Sequence, residues 1–460
     1  RGGHSPPLFI SLPDINGQAQ VSRAGISFLQ RHNQQTSINK ESIMRWLFRF
    51  TLLLVLFVIV SLTTISSPVT AQLSENITSL AWSPDGNKVA GGDINSDVYI
   101  WDAADFTLLT YFHAQTLPVY SITWNPESTQ IAVTDATAGT ITVWDVRDGK
   151  PLIQLSTTPL TPGISARGYV AWSKQGVLAN VSFVDEGLDH VHLWDMTGDQ
   201  FIERTLKAQA VPFSLTWNPD GTRLAISDQF SVYVFNDLSK DILPASIGAF
   251  SLGIAWKPDG SQLASIYPVQ PDASVDILSI PDGKVVKSFK NNEDSAAGIA
   301  WSPDGRKLAI HRSSGMVEIR DVDSGQIQAS FQLDMLSGQR IIIWSPFGGR
   351  IVVGSTVKAI ENQTTPLLPE HVQSSGENQL RVIVPIASLD WLTKIASYCL
   401  QAVDNPSPKI QDFLSPETML AFTLDQLPDF IDQIKELPSD AIPSACAADL
   451  VAVAEALITS

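Results

Sequence analysis

Short runs of alternating apolar and polar residues, separated by turn residues, fill the chain from residue 77 to about residue 355. In the first run, period-two alternation places Leu80 and Trp82 on one face of a predicted strand. The next four residues, Ser83–Gly86, form a turn, because Pro presets φ, Asp binds its own backbone and Gly accepts a positive φ. The strands predicted for this first unit are Ile77–Trp82, Lys88–Gly91, Val98–Asp102 and Leu108–Phe112.

The same unit recurs along the chain, marked each time by a tryptophan followed by a turn. Trp-Ser-Pro-Asp-Gly occurs twice, and close or looser variants of it occur five times. Successive tryptophans are 42, 48, 45, 39, 45 and 43 positions apart. Four short strands at such a period are typical of a β-propeller, so we predict an all-β, seven-bladed β-propeller of four-stranded antiparallel blades. The marker tryptophans are Trp82, Trp124, Trp172, Trp217, Trp256, Trp301 and Trp344.

A second motif closes the third predicted strand of the early units. It is a Trp-Asp pair, found at Trp101-Asp102, Trp144-Asp145 and Trp194-Asp195. Together the two motifs resemble the WD40 repeat family, in the form of a bacterial-type exported protein, over about residues 77–355. The turn motif is also similar to TolB-type propeller repeats. The resemblance implies a propeller that assembles protein partners.

The chain departs from the WD40 pattern at the positions of a buried hydrogen-bonded tetrad that the resemblance implies. Only His113 stands at the matching histidine position, and it lacks the preceding Gly. Ala138 and Ser314 replace the loop aspartate in the second and sixth units. We therefore expect apolar packing and sheet pairing to hold most blades together, and we transfer no tetrad role.

The last repeat and the tail differ from the rest of the chain. A polar stretch, Glu361–Glu377, interrupts the seventh unit, and Leu380–Pro385 then resembles another strand. We predict that Gln379–Pro385 completes the last blade from the C-terminal side. From Ser388 the apolar spacing becomes helical, and Ser415-Pro416 is a helix-start signal. The predicted organisation is an upstream segment (1–43), a signal peptide (44–71), the propeller (72–387) and a helical C-terminal segment (388–460).

The N-terminal region indicates export. Met44 precedes Arg45, Arg49, an apolar run over Leu52–Val60 and a Val-Thr-Ala ending at Ala71, which together describe a secretory signal peptide, Met44–Ala71. We expect a mature chain from Gln72 in an extracytoplasmic compartment, secreted or periplasmic. The alternative is an uncleaved signal anchor, the one case in which the protein would be held at a membrane.

Two cysteines, Cys399 and Cys446, lie in the helical segment. In an oxidising compartment they can form a disulfide, and the alternative is two separate buried thiols. The formal net charge of −17 argues against nucleic-acid binding, because an acidic body repels phosphate backbones.

The sequence offers little for catalysis or metal binding. His190 and His192 share one strand face but lack a third ligand, so we expect no metal there. Acidic clusters at Asp145–Gly149 and Asp321–Gly325 occupy the same repeat position, so we interpret them as turns and not as calcium sites. Nucleophile, phosphate-loop and dinucleotide motifs are absent, and we expect no cofactor.

These observations favour a monomeric scaffold that binds protein partners through the loops on one rim of the propeller. The loops expected at the rim are Gln115–Pro118, Thr161–Arg167 and Asn291–Ser295. The alternative is a propeller hydrolase or lactonase, with a site in the central channel assembled from several blades.

Overall fold

Seven antiparallel sheets of four strands each make up most of the structure, a computed structural model. We number the sheets 1 to 7 in chain order. The structure describes residues 77–114, 117–135, 140–156, 168–182, 190–198, 202–207, 212–236, 238, 245–247, 250–269, 273–291, 293–333, 341–354, 372–374, 380–384, 388–403, 405–438 and 440–459.

Sheets 1 to 6 are consecutive meanders in which each strand pairs with the next along the chain. Their strands are β1 (Ile77–Trp82), β2 (Lys88–Asp93), β3 (Asp97–Asp102), β4 (Leu108–His113), β5 (Val119–Trp124), β6 (Gln130–Asp135), β7 (Thr140–Asp145), β8 (Lys150–Ser156), β9 (Gly168–Trp172), β10 (Val177–Ser182), β11 (His190–Asp195), β12 (Ile202–Lys207), β13 (Pro212–Trp217), β14 (Leu224–Asp228), β15 (Val232–Phe235), β16 (Ala245–Ile247), β17 (Ile254–Trp256), β18 (Gln262–Tyr267), β19 (Ser274–Ser279), β20 (Val285–Lys290), β21 (Ala296–Trp301), β22 (Lys307–Arg312), β23 (Met316–Asp321) and β24 (Ile327–Gln332).

The first strands of successive sheets contact one another and run in the same direction. The hydroxyl of Thr78 donates to the carbonyl of Val119 at 2.6 Å, and the amide of Ile122 donates to the hydroxyl of Ser79 at 3.0 Å. Such contacts link strands 41 to 43 positions apart, so the chain returns to an equivalent place once per unit. The structure therefore confirms an all-β propeller of four-stranded antiparallel sheets.

Sheet 7 departs from the meander, because its strand order is β25-β26-β28-β27. Its strands are β25 (Ile341–Trp344), β26 (Ile351–Gly354), β27 (Val372–Ser374) and β28 (Leu380–Ile383). The sheet does include β28, as predicted, but as its third strand. The edge strand is β27, inside the stretch expected to be an interruption. It was missed because three mostly polar residues carry no alternation that indicates a strand.

The C-terminal segment is helical, as predicted. Its elements are α1 (Leu389–Gln401), α2 (Pro408–Phe413), α3 (Pro416–Ala421), a 3₁₀ turn (Leu424–Gln426), α4 (Leu427–Lys435) and α5 (Ser444–Thr459). Ser388 caps α1 by accepting from the amide of Trp391, and Ser415 caps α3 by accepting from Thr418, with Pro416 in its first turn. Among the described residues, no helix combines the length and apolarity needed to cross a membrane.

The helices share one hydrophobic core with sheets 1, 6 and 7. In this core, α1 contributes Trp391 and Ile395, α5 contributes Leu450, and sheet 7 contributes Trp344 and Phe347. A disulfide joins Cys399 of α1 to Cys446 of α5, with the two Cα atoms 5.7 Å apart. The helical segment is therefore an integral layer packed against the propeller.

Candidate interaction surface

The two ends of the propeller differ, because the helical segment packs against only one of them. In each of sheets 1 to 6, the turn from the first to the second strand lies at the same end as the turn from the third to the fourth, and the turn between β25 and β26 of sheet 7 lies at this end too. We call this the turn end. The hairpin from the second to the third strand, and the connection into the next sheet, emerge at the other end, which we call the open end. Since the first strands are parallel around the ring, each end is common to all sheets.

The helical segment covers part of the turn end. Asp449 of α5 accepts hydrogen bonds from Ser345 at 2.5 Å and from the amide of Gly349 at 2.9 Å, both in the turn between β25 and β26. The indole of Trp391 donates to the carbonyl of Gly348 at 3.1 Å. Lys394 of α1 lies 3.8 Å from Asp304, in the first turn of sheet 6. These contacts place the helices over the turn end of sheets 6 and 7.

The open end carries exposed apolar side chains at sheets 4 and 5. Phe230, in the hairpin between β14 and β15, is 68% exposed. Leu252, in the connection between β16 and β17, is 41% exposed, and Val269, which follows β18, is 43% exposed. The rings of Phe213 and Phe250 pack with centroids 5.8 Å apart. We call these five residues the rim cluster. Phe213 and Phe250 are half-buried, and exposed apolar groups on neighbouring loops are typical of interaction sites.

Backbone hydrogen bonds hold the loops of the rim cluster together. The amide of Ser251 donates to the carbonyl of Asp228 at 3.1 Å, which joins the connection after β16 to the hairpin that carries Phe230. The amide of Leu252 donates to the carbonyl of Ile266 at 3.1 Å, which joins the same connection to sheet 5. The loops are therefore held before any partner arrives, so binding orders little new backbone.

A buried carboxylate supports the Phe230 hairpin from below. Oδ1 of Asp228 accepts from the amide of Phe230 at 2.7 Å and from the amide of Ser231 at 2.6 Å. Burial raises the pKa of Asp228, and the two backbone hydrogen bonds offset only part of that rise. Burial also raises the pKa of Tyr233, and the neighbouring Asp228 carboxylate raises it further. The hairpin thus has a fixed shape at the cost of a desolvated acid.

One of the three expected rim loops is described in most of its length. In Asn291–Ser295, the carboxylate of Asp294 accepts from the amide and the hydroxyl of Ser314, at 2.9 Å and 2.5 Å. This ties the connection before sheet 6 to that sheet's open-end hairpin. Of Gln115–Pro118 only residues 117 and 118 are described, and Thr161–Arg167 lies outside the described residues. The rim cluster itself was missed. The sequence signal that could have found it is Phe230, an apolar residue between the polar Gln229 and Ser231.

The marker tryptophans have a structural role between sheets that the sequence did not reveal. The indole N–H of Trp124 donates to the carbonyl of Ala81 in the preceding sheet at 3.0 Å. Trp217 does the same to Ala171 at 3.0 Å, and further pairs join Trp256 to Thr216 and Trp301 to Ala255. Each acceptor directly precedes the marker tryptophan of its own sheet. Trp344 instead donates to Gly348 of its own turn, and the indoles of Trp82 and Trp172 have no hydrogen-bond partner among the described residues.

The Trp-Asp pairs are also structural. Trp101, Trp144 and Trp194 are buried, and Trp144 stacks on Phe112 with centroids 4.8 Å apart. Asp102, Asp145 and Asp195 each accept the backbone amide of the residue two positions later, at 2.7 to 3.0 Å. The pKa of Asp145 falls to about 2, mainly because the Arg147 side chain donates to it. These carboxylates organise the turn between the third and fourth strands.

The weak candidates for chemistry have ordinary packing roles where they are described. His192 is buried and stacks on Trp194, with centroids 5.6 Å apart, while the side chain of His190 is outside the described set. Asp321 accepts from the amide and hydroxyl of Ser324, as a turn aspartate does. His113 is mostly exposed and pairs with Asp97 at 2.9 Å. Within the described ranges, no group of three or more potential metal ligands occurs.

The first strand of each sheet determines which side chains can line the central channel. The first strands of the seven sheets contact their counterparts in neighbouring sheets, so they line the centre of the ring. Their residues are apolar or neutral, and these seven strands contain no Asp, Glu, His, Lys or Arg. Tyr120 and Tyr169 approach each other there, with hydroxyl oxygens 3.2 Å apart. Such strands bring no acid or base into the channel.

Two family models match parts of the chain. The WD domain, G-beta repeat model matches residues 64–102 and 106–145, and the model for the anaphase-promoting complex subunit 4 WD40 domain matches residues 288–346. The first match begins inside the predicted signal segment, Met44–Ala71. Among solved structures, the chain is similar to the Cps50 (Swd1) β-propeller domain of Myceliophteria thermophila. That likeness has a TM-score of 0.51 at 14% identity and covers 61% of this chain and 93% of that one. It supports the fold alone.

Curated relatives match over shorter stretches. The chain is 28% identical to the SIR4-interacting protein SIF2 of Saccharomyces cerevisiae over 178 residues, which is 38% of this chain and 30% of that protein. It is 32% identical to the protein transport protein Sec31A of Rattus norvegicus over 117 residues, 24% of this chain and 9% of that protein. The chain thus spans less than a third of either relative. Both organisms are eukaryotic, so these relatives support neither a bacterial-type protein nor a TolB-type resemblance.

Proposed function

We propose that the protein is a WD40-type propeller scaffold that binds a protein partner through the rim cluster at its open end. The observation that carries the proposal is the exposure of Phe230 on a hairpin held by Asp228, with Leu252 and Val269 exposed on neighbouring loops at the same end. Aromatic side chains on a rigid frame supply contact area at a small entropic cost, which makes them effective anchors of interfaces. The helices cover the opposite end, so the rim cluster is left accessible.

The comparisons support a binding role over an enzymatic one. The names of the relatives describe a protein that interacts with SIR4 and a protein of protein transport, and neither name states a catalytic activity. The seven first strands bring no carboxylate or imidazole to the channel, where a propeller hydrolase would need them. We therefore propose a non-enzymatic scaffold.

We also propose that sheet 7 closes the ring as a seventh blade. Strand β1 contacts both β25 and β26, and a Cβ added at Gly354 would lie 2.7 Å from Leu80 of sheet 1. The glycine thus allows a close approach between the first and last sheets. An experimental structure with a number of blades other than seven would contradict this.

We propose further that the chain is exported and acts as a monomer. The segment Met44–Ala71 supports export, as does the disulfide between Cys399 and Cys446, since disulfides persist in oxidising compartments. N-terminal sequencing of the protein purified from its source tests the cleavage, because the proposal requires Gln72 as the first residue. Light scattering on the purified protein tests the monomer.

The binding proposal is tested by affinity capture with matched variants. The tagged protein and its Phe230→Ser/Leu252→Ser variant are mixed with extract of the source organism. The control is Leu424→Ser, which removes an apolar side chain that is 57% exposed on the helical segment. We expect a stoichiometric partner that is retained by the control and lost by the double variant. A partner captured equally by all three proteins would place the interaction elsewhere.

A further inference from the structure

A basic side chain stands six positions after the marker tryptophan in four of the seven sheets. The residue lies at the turn end of the propeller, at the first position of the second strand or directly before it. The residues at this position are Lys88, Gln130, Arg223, Gln262, Lys307 and Arg350; in sheet 3, whose turn is one residue shorter, the corresponding residue is Val177, five positions after Trp172. In sheet 4 this residue reaches the next sheet: the guanidinium of Arg223 lies over the ring of Trp256, 5.3 Å from its centroid, and donates to the carbonyl of Gly260 at 3.0 Å. Here the chain fills an inter-sheet groove with its own cation.

Sheet 2 has Gln130 at this position, and the groove toward sheet 3 is open. It has a volume of about 380 Å³ and is lined by Gln130 and Glu127 of sheet 2 and by Trp172, Gly176 and Met196 of sheet 3, among others. Trp172 and Gly176 correspond in the repeat to Trp256 and Gly260. The tryptophan and glycine that receive Arg223 at sheets 4 and 5 therefore have counterparts here, and the described groove lining contains no basic residue.

Two features of this groove suit a cation from outside the chain. Among its described lining residues the one charged group is the carboxylate of Glu127, which binds Nδ2 of Asn125 at 2.9 Å, and none of these lining residues is basic. The protein as a whole carries a net charge of −17, which draws basic partners.

We propose that the groove between sheets 2 and 3 is a second binding site, which takes an arginine side chain of a protein partner. The guanidinium lies over the Trp172 ring, as Arg223 lies over Trp256. It pairs with the carboxylate of Glu127 and donates to the carbonyl of Gly176, which also accepts from the amide of Met196 at 3.0 Å. A planar guanidinium both stacks on an aromatic face and donates in its own plane, so it fits this combination better than an ammonium group does. The site lies at the turn end and is independent of the rim cluster.

The groove between sheets 5 and 6 provides an internal comparison. Sheet 5 also has a glutamine at the repeat position, Gln262, and a groove of about 510 Å³ lies beside it. There, however, the chain's own cations Lys257, Lys287 and Arg306 line the groove beside the carboxylates of Asp259, Asp304 and Asp323, and Lys257 pairs with Asp259 at 3.2 Å. These carboxylates already have cations of the chain beside them, and the lining, as far as it is described, lacks a marker tryptophan, so an incoming arginine is disfavoured. Arginine binding is therefore expected at the first groove and not at the second.

The test uses a capped Gly-Gly-Arg-Gly-Gly peptide and the same peptide with neutral citrulline in place of arginine. The full chain is labelled with 5-fluorotryptophan, and the ¹⁹F resonance of Trp172 is identified by its loss in Trp172→Phe. We expect this resonance to shift on titration with the arginine peptide. The apparent affinity for the citrulline peptide should be about tenfold weaker, because the charge supplies most of the binding.

Two variants test the assignment of the groove, and a third is the control. Glu127→Gln should weaken binding of the arginine peptide about tenfold. Gln130→Arg should abolish the shift of Trp172, because the chain then fills the groove with its own guanidinium. Gln262→Arg, the same change in the other groove, should bind like the parent protein.

Thermal unfolding of each variant shows that it is folded, and Glu127→Gln decides the matter if Gln130→Arg does not fold. Equal shifts with both peptides, no shift of Trp172, or parent-like binding by Glu127→Gln would overturn the proposal. None of these results would affect the proposal for the rim cluster, which has its own variants.

Discussion

Asp449, in the last helix, accepts a hydrogen bond from the guanidinium of Arg350, which stands just before the second strand of sheet 7. Both side chains are almost fully buried. Arg350 also donates to the carbonyl of Ala104 in sheet 1 at 3.0 Å and to that of Ala445 in α5 at 3.3 Å. One guanidinium therefore connects sheet 7, sheet 1 and the helical segment at the place where the first and last sheets contact each other.

Replacing Asp449 with Ala should destabilise the protein by about 3–5 kcal/mol, because it leaves the buried guanidinium of Arg350 without its counterion. Denaturant unfolding followed by tryptophan fluorescence measures the loss. The control is Glu455→Ala on the same helix, which removes an exposed pair with Lys435 at 3.4 Å and should cost about 1 kcal/mol or less. Equal losses for the two variants would show that the buried pair has no special importance.

Reducing the disulfide between Cys399 and Cys446 should lower the free energy of unfolding by about 4 kcal/mol, since it closes a long loop in the unfolded chain. The two residues are 47 positions apart. Unfolding with and without a reducing agent measures the difference, and the intact mass without reduction establishes the bond. The double variant Cys399→Ala/Cys446→Ala is the control, because its stability should not respond to the reducing agent. A full-length protein with two free thiols would contradict the pairing.

Trp217→Phe should cost about 1–2 kcal/mol more than Trp172→Phe, because it also removes a buried hydrogen bond to the preceding sheet. The indole of Trp217 donates to Ala171 at 3.0 Å, whereas that of Trp172 has no partner among the described residues. Both changes remove the same atoms from the same repeat position, so the difference reports the hydrogen bond together with the deeper burial of Trp217, which acts in the same direction. Indistinguishable stabilities would mean that this contact between sheets contributes nothing measurable.

Asp228→Asn should change how stability depends on pH. Burial raises the pKa of Asp228 in the folded protein above its unfolded value of about 4. The folded state therefore holds this proton more tightly, and the stabilisation is present below the unfolded pKa and is lost as the pH rises through the folded pKa. The amide of Asn keeps the oxygen that accepts from Phe230 and Ser231. As the pH rises through this range, the parent should lose stability relative to the variant. If the melting temperatures of the two proteins depended on pH in the same way, the raised pKa of Asp228 would be contradicted.

Local features of the fold were well predicted from sequence. The turn after Trp82 repeats because Pro, Asp and Gly each favour one backbone geometry within four residues, and Gly86 does have a positive φ of 75°. The cap at Ser415 and the helix that follows also depend only on near neighbours. The edge strand Val372–Ser374 was missed because its pairing partner, and not its own residues, makes it a strand.

The candidate sites were predicted less well for a related reason. The sequence indicated a binding scaffold and one rim loop, Asn291–Ser295, that the structure describes at the open end. It did not bring the loop of Phe230 near that of Leu252, since that depends on a hydrogen bond from Ser251, in the connection after β16, to Asp228 at the end of β14. Nor did it place a groove beside Trp172, which depends on how two sheets pack.

By itself, the sequence determined the repeat, the strands and turns of each unit, the change to helices after residue 388 and the positions of the two cysteines. Each of these depends on the conformational preferences of a few adjacent residues or on a period that can be counted along the chain. Only the tertiary structure decided which end of the propeller the helices cover, the acceptor of each marker indole and the counterion of Arg350. Those contacts join residues 40 to 246 positions apart, and their geometry follows from the packing of whole sheets and helices against one another.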